Sequence, residues 1–278
     1  MAVSETHELK GFKAFEAEGW SRHAGTYGDL LGGMTARLAE ALLDAAGVRH
    51  DTRVLDVATG PGYVAERAAA RGARPTGIDI AEAMLALARR RQPELEFRWA
   101  DAEDLPFEDG SFDAVVGGFV LNHLPAPERA VRESARVLAP GGSIAYSVWD
   151  RPEHNRLLGV VADAIAEVGV QEPAEVAEGP DPYRFADDSE FAAQLGRAGI
   201  GDVAVETLSL SLPVRGSNEF WEGQMGSVLR ASAVIDAQPE EIRGRIRDAF
   251  DHRLEAHRAR DGFEIPVVAK LASGRKRA

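Results

Sequence analysis

Between about residues 50 and 150, short unbroken apolar runs alternate with segments whose apolar residues recur at helical spacing. "RVLDVAT" (53–59) predicts a strand, and "GYVAERAAARG" (62–72) predicts a helix that stops at glycine. "RPTGIDI" (74–80) repeats the strand, and "AEAMLALARRRQP" (81–93) is a helix ending before proline. A short strand and loop follow in "LEFRWADAEDLPF" (95–107), then a buried strand with its exit in "FDAVVGGFVLNHL" (112–124). "APERAVRESARVLAPGG" (126–142) reads as a helix and "GSIAYSVWD" (142–150) as a strand. Helices alternating with nearly continuous apolar strands predict an α/β fold whose mainly parallel sheet is covered on both faces.

The flanks follow other patterns. Residues 1–45 read as helical, with Phe12, Phe15 and Trp20 as apolar points in a charged segment. The glycine-punctuated "HAGTYGDLLGGM" (23–34) predicts a loop before a helix that stops at Gly47. After Arg151 the chain predicts helices over 155–169 and 189–200, joined by a polar loop rich in proline and acids (170–188). An alternating strand at 202–214 has the pattern of an exposed edge, and helices are expected over 217–234 and 239–259. The terminal "FEIPVVAKLASG" (263–274) reads as a last strand, with Pro266 favouring an edge or the strand's beginning. The expected division is a helical lid segment (1–45), a ligand-binding core (46–150) and a stretch completing the sheet with inserted lid helices (151–278), all within one structural domain.

In a parallel sheet of this kind, ligands bind beyond the carboxyl ends of the strands. "DVATGPGY" sits at such a strand-to-helix turn. Gly60 and Gly62 let the backbone turn tightly and let a ligand approach it, while Pro61 stiffens the turn. The loop lacks both the third glycine of a dinucleotide motif and the lysine of a phosphate cradle. It carries instead Asp56 before it, Asp79 at the end of the second strand and Asp101 after the third. Three carboxylates suit a ligand with cationic and hydroxyl groups rather than a pyrophosphate. Asp79 is placed to accept two ribose hydroxyls. Asp101 can accept from an adenine amine while the Ala102 amide answers a ring nitrogen. Asp56 can anchor the loop or reach an amino group through water. Ile80, Met84 and Phe119 suit the two faces of a flat base.

Charge narrows the partners. With 32 Lys and Arg against 45 Asp and Glu, the formal net charge is −13. Such a field repels nucleic acid and anionic membrane surfaces. There are no cysteines, so disulfides and thiolate metal sites are excluded. His252 and His257 lie five apart among charged residues and read as surface groups, and no metal site is expected. A polar N-terminus without an apolar core, and no run long enough to span a bilayer, predict a cytoplasmic protein.

The run "VLDVATGPGYVA…GIDIAEAMLALAR…ADAEDLPFEDGSFDAVV…RVLAPGG" resembles the class I S-adenosylmethionine-dependent methyltransferases. Within them it is similar to the branch holding the ubiquinone and menaquinone biosynthesis methyltransferases and many small-molecule methyltransferases. The match covers roughly residues 50–148, with a weaker likeness at "WSRHAGTYGDL". The resemblance implies a Rossmann-like seven-stranded sheet whose last strand is antiparallel. It implies S-adenosylmethionine as cofactor and S-adenosylhomocysteine as product. Gly60 and Gly62, with Ala58 and Thr59 beside them, would then back the methionine part. Asp79 would hold the ribose, and Asp101 with Ala102 the adenine. Thr59 departs from the Cys or Gly common at that position, but it is small.

Methyl transfer from a sulfonium needs alignment and exclusion of water, and it needs a base only when the nucleophile keeps its proton. His123, just past the fourth strand, is the first candidate base. His23 and Tyr27 follow, and Tyr27 is better placed to contact or close over the cofactor. Phe12, Phe15, Trp20, Phe220, Trp221 and Met225 are the candidate wall of a substrate pocket, which favours a small, largely apolar, ring-containing metabolite. Ala, Arg and Gly usage suggests a GC-rich bacterial source, where such enzymes tailor natural products. Two other readings remain open at this level: cyclisation or rearrangement on the same fold without methyl transfer, and a non-catalytic S-adenosylmethionine-binding module. The chain fits a monomer or a homodimer equally.

Overall fold

The central parallel strands are buried on both faces because their side chains alternate between two helical layers, whereas the edge strand at Glu96–Trp99 buries only Phe97. The computed structural model describes residues 2–173, 176, 177 and 179–277; Ala174, Glu175 and Glu178 of the polar loop lie outside them. Strands β1 (Arg53–Val57), β2 (Arg74–Asp79), β3 (Glu96–Trp99), β4 (Phe112–Gly118) and β5 (Leu138–Trp149) are followed by β6 (Ile200–Val214), β7 (Arg258–Ala259) and β8 (Gly262–Lys276). The sheet runs β3-β2-β1-β4-β5-β8-β6, with two-residue β7 paired to β8. The first five strands are mutually parallel, and β8 is antiparallel to both β5 and β6.

Leu55, Val115 and Ile144 point to one face, where they meet Ala130 and Val131 of α5 (Pro127–Val137) and Phe191 of α7 (Asp188–Arg197). Their neighbours Val54, Val116 and Ala145 point to the other, against Leu42 and Leu43 of α2 (Leu31–Ala45) and Ala68 of α3 (Tyr63–Ala70). A further apolar cluster joins α2 and β8 to α6 (Arg156–Val168), α8 (Ser217–Ser227), α9 (Leu229–Asp236) and α10 (Glu240–Leu254). Helix α4 (Glu82–Arg91) packs Leu85 and Ala88 on Phe97, and α1 (Ala2–His23) lies against α4 and α9.

Several boundaries differ from the sequence pattern for local reasons. Helix α2 begins at Leu31, inside the expected loop, and within its first turn Gly32 lets the Tyr63 hydroxyl pack where a Cβ would stand 3.0 Å from it. The helix expected over 217–234 breaks at an extended Val228 (φ −101°, ψ 87°), which turns Leu229 onto Gly19 of α1. Helix α5 ends at Val137, so β5 begins four residues early, and α10 ends at Leu254. The terminal strand is not an edge: β8 lies between β5 and β6, and β6 forms that edge. Pro266 is nevertheless accommodated, since β8 pairs with β5 only from Ala269 onward and has β6 alone at Ser211↔Pro266.

Under β5, the fully buried Tyr146 hydroxyl lies 2.6 Å from Ser134 Oγ of α5. Tyr146→Phe is expected to cost about 1–2 kcal/mol by stranding a buried hydroxyl. Urea unfolding with an unchanged midpoint would contradict this.

Candidate active site

The carboxyl ends of β1, β2, β3, β4 and β5 open into one cavity of about 940 Å³, counting its mouth. At the end of β1 the backbone turns through left-handed residues at Ala58 (φ 55°), Gly60 (φ 53°) and Gly62 (φ 83°). A Cβ at Gly62 would sit 3.0 Å from the Phe97 ring, so only glycine lets α3 start this close to β3. Thr59 N donates to Ile78 O at 2.8 Å, and Gly62 N to Thr59 O at 2.9 Å, which pins the turn to β2.

Two buried carboxylates hold the turn from beneath. Asp79 Oδ2 accepts the Gly60 amide at 2.9 Å, and its Oδ1 accepts the Ala81 amide at 2.8 Å. Asp56 Oδ2 accepts the Thr59 hydroxyl at 2.6 Å and the Ala65 amide of α3 at 3.1 Å. Burial pushes Asp79 up to about 6 and Asp56 up to about 7, against the hydrogen bonds that favour their charged forms. Ala58, Gly60, Asp79, Ile80, Met84, Asp101, Ala102 and Phe119 all line the cavity. Asp56 and Thr59 line a smaller adjoining hollow, which shares Tyr27, Ala58, Gly60 and Phe119 with it. Gly62 lies behind the turn, facing Phe97 and Ala88. Phe119 takes a left-handed conformation (φ 59°) just past β4, and its ring stacks on Trp149 at 3.8 Å between centroids. Strained backbone at Ala58 and Phe119 thus falls on the rim of this cavity, where such conformations concentrate.

The opposite wall is helix α1. Lys13, Glu16 and Trp20 follow i, i+3, i+7 spacing, which places them on one helical face, and all three line the cavity. Lys13 Nζ donates to Asp101 Oδ2 at 2.7 Å and to Glu103 Oε2 at 2.5 Å. Burial works against its charge, but these bonds outweigh it and hold the Lys13 ammonium above its ordinary pKa. Glu16 Oε2 accepts the Trp20 indole N–H at 2.9 Å and lies 3.0 Å from His123 Nδ1. The Trp20 ring meets the rings of His123 and Tyr27 edge-on, at 5.1 and 5.7 Å.

The other expected pocket residues are placed elsewhere. Phe12 is buried with its ring on Gly179, and Phe15 is half-buried away from the cavity. Phe220 and Trp221 pack on Phe250, with ring centroids 5.4 and 5.1 Å away, and Met225 lies in the same apolar cluster. His23 faces away from the cavity, its Nδ1 2.9 Å from Gly19 O and its Nε2 3.2 Å from both Met225 O and Ser232 Oγ. Sequence reasoning passed over Lys13, Glu16 and Trp149; the shared helical face of residues 13, 16 and 20 was the available signal for the first two. Among the described residues, no three His, Asp or Glu side chains come together as a metal site. No helix among them is long and apolar enough to cross a membrane.

A family model described as a methyltransferase domain matches residues 55–146. A demethylmenaquinone methyltransferase of Renibacterium salmoninarum is 32% identical over 201 residues, covering 69% of this chain and 84% of that protein. A ubiquinone biosynthesis O-methyltransferase of Chromobacterium violaceum is 36% identical over 163 residues, 56% of this chain and 66% of that one. A Haemonchus contortus phosphoethanolamine N-methyltransferase, solved with S-adenosylhomocysteine, shares the fold at 18% identity with a TM-score of 0.54, covering 87% of this chain and 53% of that one.

The raised carboxyl groups set a pH dependence. Both bind protons more tightly folded than unfolded, so their contribution to stability is full below about pH 3.8 and is lost as pH rises through about 6 for Asp79 and about 7 for Asp56. Asp56→Asn keeps an acceptor oxygen for Thr59 and Ala65 without the charge. It is therefore expected to gain stability relative to the parent as pH rises from about 5 to about 8. Chemical denaturation across that range showing a constant difference would rule out a buried charge at Asp56.

Proposed function

Since the chain belongs to the class I S-adenosylmethionine-dependent methyltransferases, we propose that it methylates O, N or C of a small, largely apolar, ring-containing metabolite. The observation that carries this reading is the meeting of two chemistries in one cavity. Buried acids and a left-handed turn form one wall, and aromatic rings with an imidazole form the other.

The residues present fit the cofactor. Its positive charge and hydroxyls suit a wall whose polar side chains are acids, and the turn has no basic side chain to repel a sulfonium. Each Asp79 oxygen is engaged by one backbone amide and has a lone pair left for a ribose hydroxyl. Asp101 with the Ala102 amide would hold the adenine between Ile80 and Met84. Gly60, Ala58 and Thr59 would back the methionine part, with Asp56 fixing their turn and Gly62 clearing space behind it. Tyr27 and Phe119, which line both hollows, would close over the junction. When bound, S-adenosylmethionine supplies an electrophilic methyl group on sulfur. The chain's own part is to bring a nucleophile into line with that methyl, exclude water and accept a proton where the nucleophile carries one.

On the acceptor side, Trp20, Phe119 and Trp149 offer ring faces and edges, and His123 offers a base. Helix α1 would act as the lid. Phe220, Trp221 and Met225 would support the lid layer from behind rather than touch substrate, given that Phe220 and Trp221 pack on Phe250 and Met225 lies in the same cluster. The names of the two relatives point to quinone-type acceptors, which agree with an aromatic, apolar cavity. A bacterial natural-product acceptor is compatible with the same walls.

Two outcomes check the assignment. Asp79→Ala is expected to weaken S-adenosylhomocysteine binding by roughly 1–3 kcal/mol, the scale of hydrogen bonds to a charged group; calorimetric titration with unchanged affinity would remove Asp79 from the ribose. Incubation of acceptor with S-adenosylmethionine should add one methyl mass and release S-adenosylhomocysteine. Turnover without that release would instead indicate cyclisation or rearrangement.

A further inference from the structure

His123 is held from both sides. Its Nδ1 lies 3.0 Å from Glu16 Oε2, and its Nε2 lies 3.1 Å from Asn122 Nδ2. The Glu16 side chain is only 11% exposed, whereas His123 is 28% exposed and lines the cavity. The same Glu16 oxygen accepts the Trp20 indole N–H, and the Trp20 ring presses edge-on against the imidazole. The carboxylate's position and the ring's plane are therefore each fixed by a second contact.

An ionised carboxylate only accepts, so the proton between the two groups resides on Nδ1. The neutral imidazole then carries its lone pair on Nε2, where the Asn122 amide N–H meets it. From this geometry we propose that Glu16 is the positioning residue for His123, making it a base for an acceptor that carries an ionisable ring hydroxyl. The proposal rests on the methyl-transfer reading. It narrows the acceptor class to hydroxyl-bearing aromatic rings.

The step balances without a further reagent. The substrate hydroxyl displaces the Asn122 amide at Nε2, its O–H bond breaks and the proton passes to Nε2. The oxygen's electron pair forms the bond to the methyl carbon; where a conjugated ring carbon attacks instead, that carbon then loses its own proton to solvent and the imidazolium returns the first proton to oxygen, which restores the aromatic ring. The sulfur–methyl bond breaks and its pair stays on sulfur, leaving a neutral thioether. The imidazolium that remains faces the Glu16 carboxylate, which offsets its charge. Glu16 belongs to α1, so the base is assembled only when that helix lies across the cavity. The Lys13 contacts with Asp101 and Glu103 hold it there.

The test reads the ring directly. Long-range proton–nitrogen spectra of the full chain with S-adenosylhomocysteine are expected to show His123 as the Nδ1–H form. In Glu16→Ala the ring should shift toward the Nε2–H form. An Nε2–H ring in the parent protein, a measurement that needs no variant, or an identical ring in Glu16→Ala, would overturn the proposal. With 1,4-naphthohydroquinone as acceptor, Glu16→Gln, which preserves shape, should lower kcat at least about tenfold with KM unchanged; an unchanged kcat would also overturn it. Calorimetry on the same samples separates the two levels. Absence of S-adenosylhomocysteine binding by the parent would sink the methyl-transfer reading itself, whereas normal binding with the wrong tautomer would sink the role of Glu16 alone.

Discussion

The site depends on a largely buried carboxylate at the edge of the cavity. Asp79 ends β2 with both oxygens turned to backbone amides, one from the β1 turn and one from its own. An unpaired buried charge costs several kcal/mol, so the two turns must come to the carboxylate for the strand ends to stay in register. Asp56 repeats the device one layer below, tying Thr59 to the start of α3. Neither acid has a cation for a partner among these contacts. Backbone donors satisfy their geometry but leave a field that favours positive charge and hydroxyl donors above the turn. The geometry of the turn and the field above it thus come from the same two groups.

The other wall is built on a different principle. Helix α1 contributes side chains rather than backbone, and each finds its partner across a large sequence distance: Lys13 at Asp101 and Glu103, Glu16 at His123. Exposed ion pairs contribute little, but here Glu103 and Glu16 are nearly buried, so each charge requires its partner. Removal of Lys13 would leave two acids facing one another at the strand end. The helix is consequently held by the groups it helps to organise.

This difference in construction explains what the sequence disclosed. The β1 turn, Asp79 and Asp101 were legible because backbone geometry and chain spacing fix them locally: a strand end, two glycines, an acid one strand later. The parallel sheet followed from apolar runs for the same reason. Lys13 and Glu16 were illegible because, in a charged helix, they look like any solvated pair until tertiary structure brings Asp101 and His123 beneath them. Phe220 and Trp221 erred the other way, since helical spacing of aromatics is the same whether they face a pocket or, as here, Phe250. Pro266 pointed to an edge that exists only locally, where β5 has ended and β6 alone remains.

The two walls also divide the labour of recognition. A surface made of left-handed turns and buried acids tolerates few substitutions, because Gly62 has Phe97 against its missing Cβ and Asp79 holds two chain segments at once. A surface made of side chains on one helix and one short turn can change residue by residue while the sheet stays intact. The face that can vary is therefore α1 with the Leu121–His123 turn and the Phe119–Trp149 stack, whereas the constrained face is the strand ends. His123 stands where the two meet, one side on the β4 exit and the other on Glu16. On the same backbone, exchanging Glu16 or Trp20 would change the surroundings of His123, whereas exchanging Lys13 would release Asp101 and Glu103 at the strand ends.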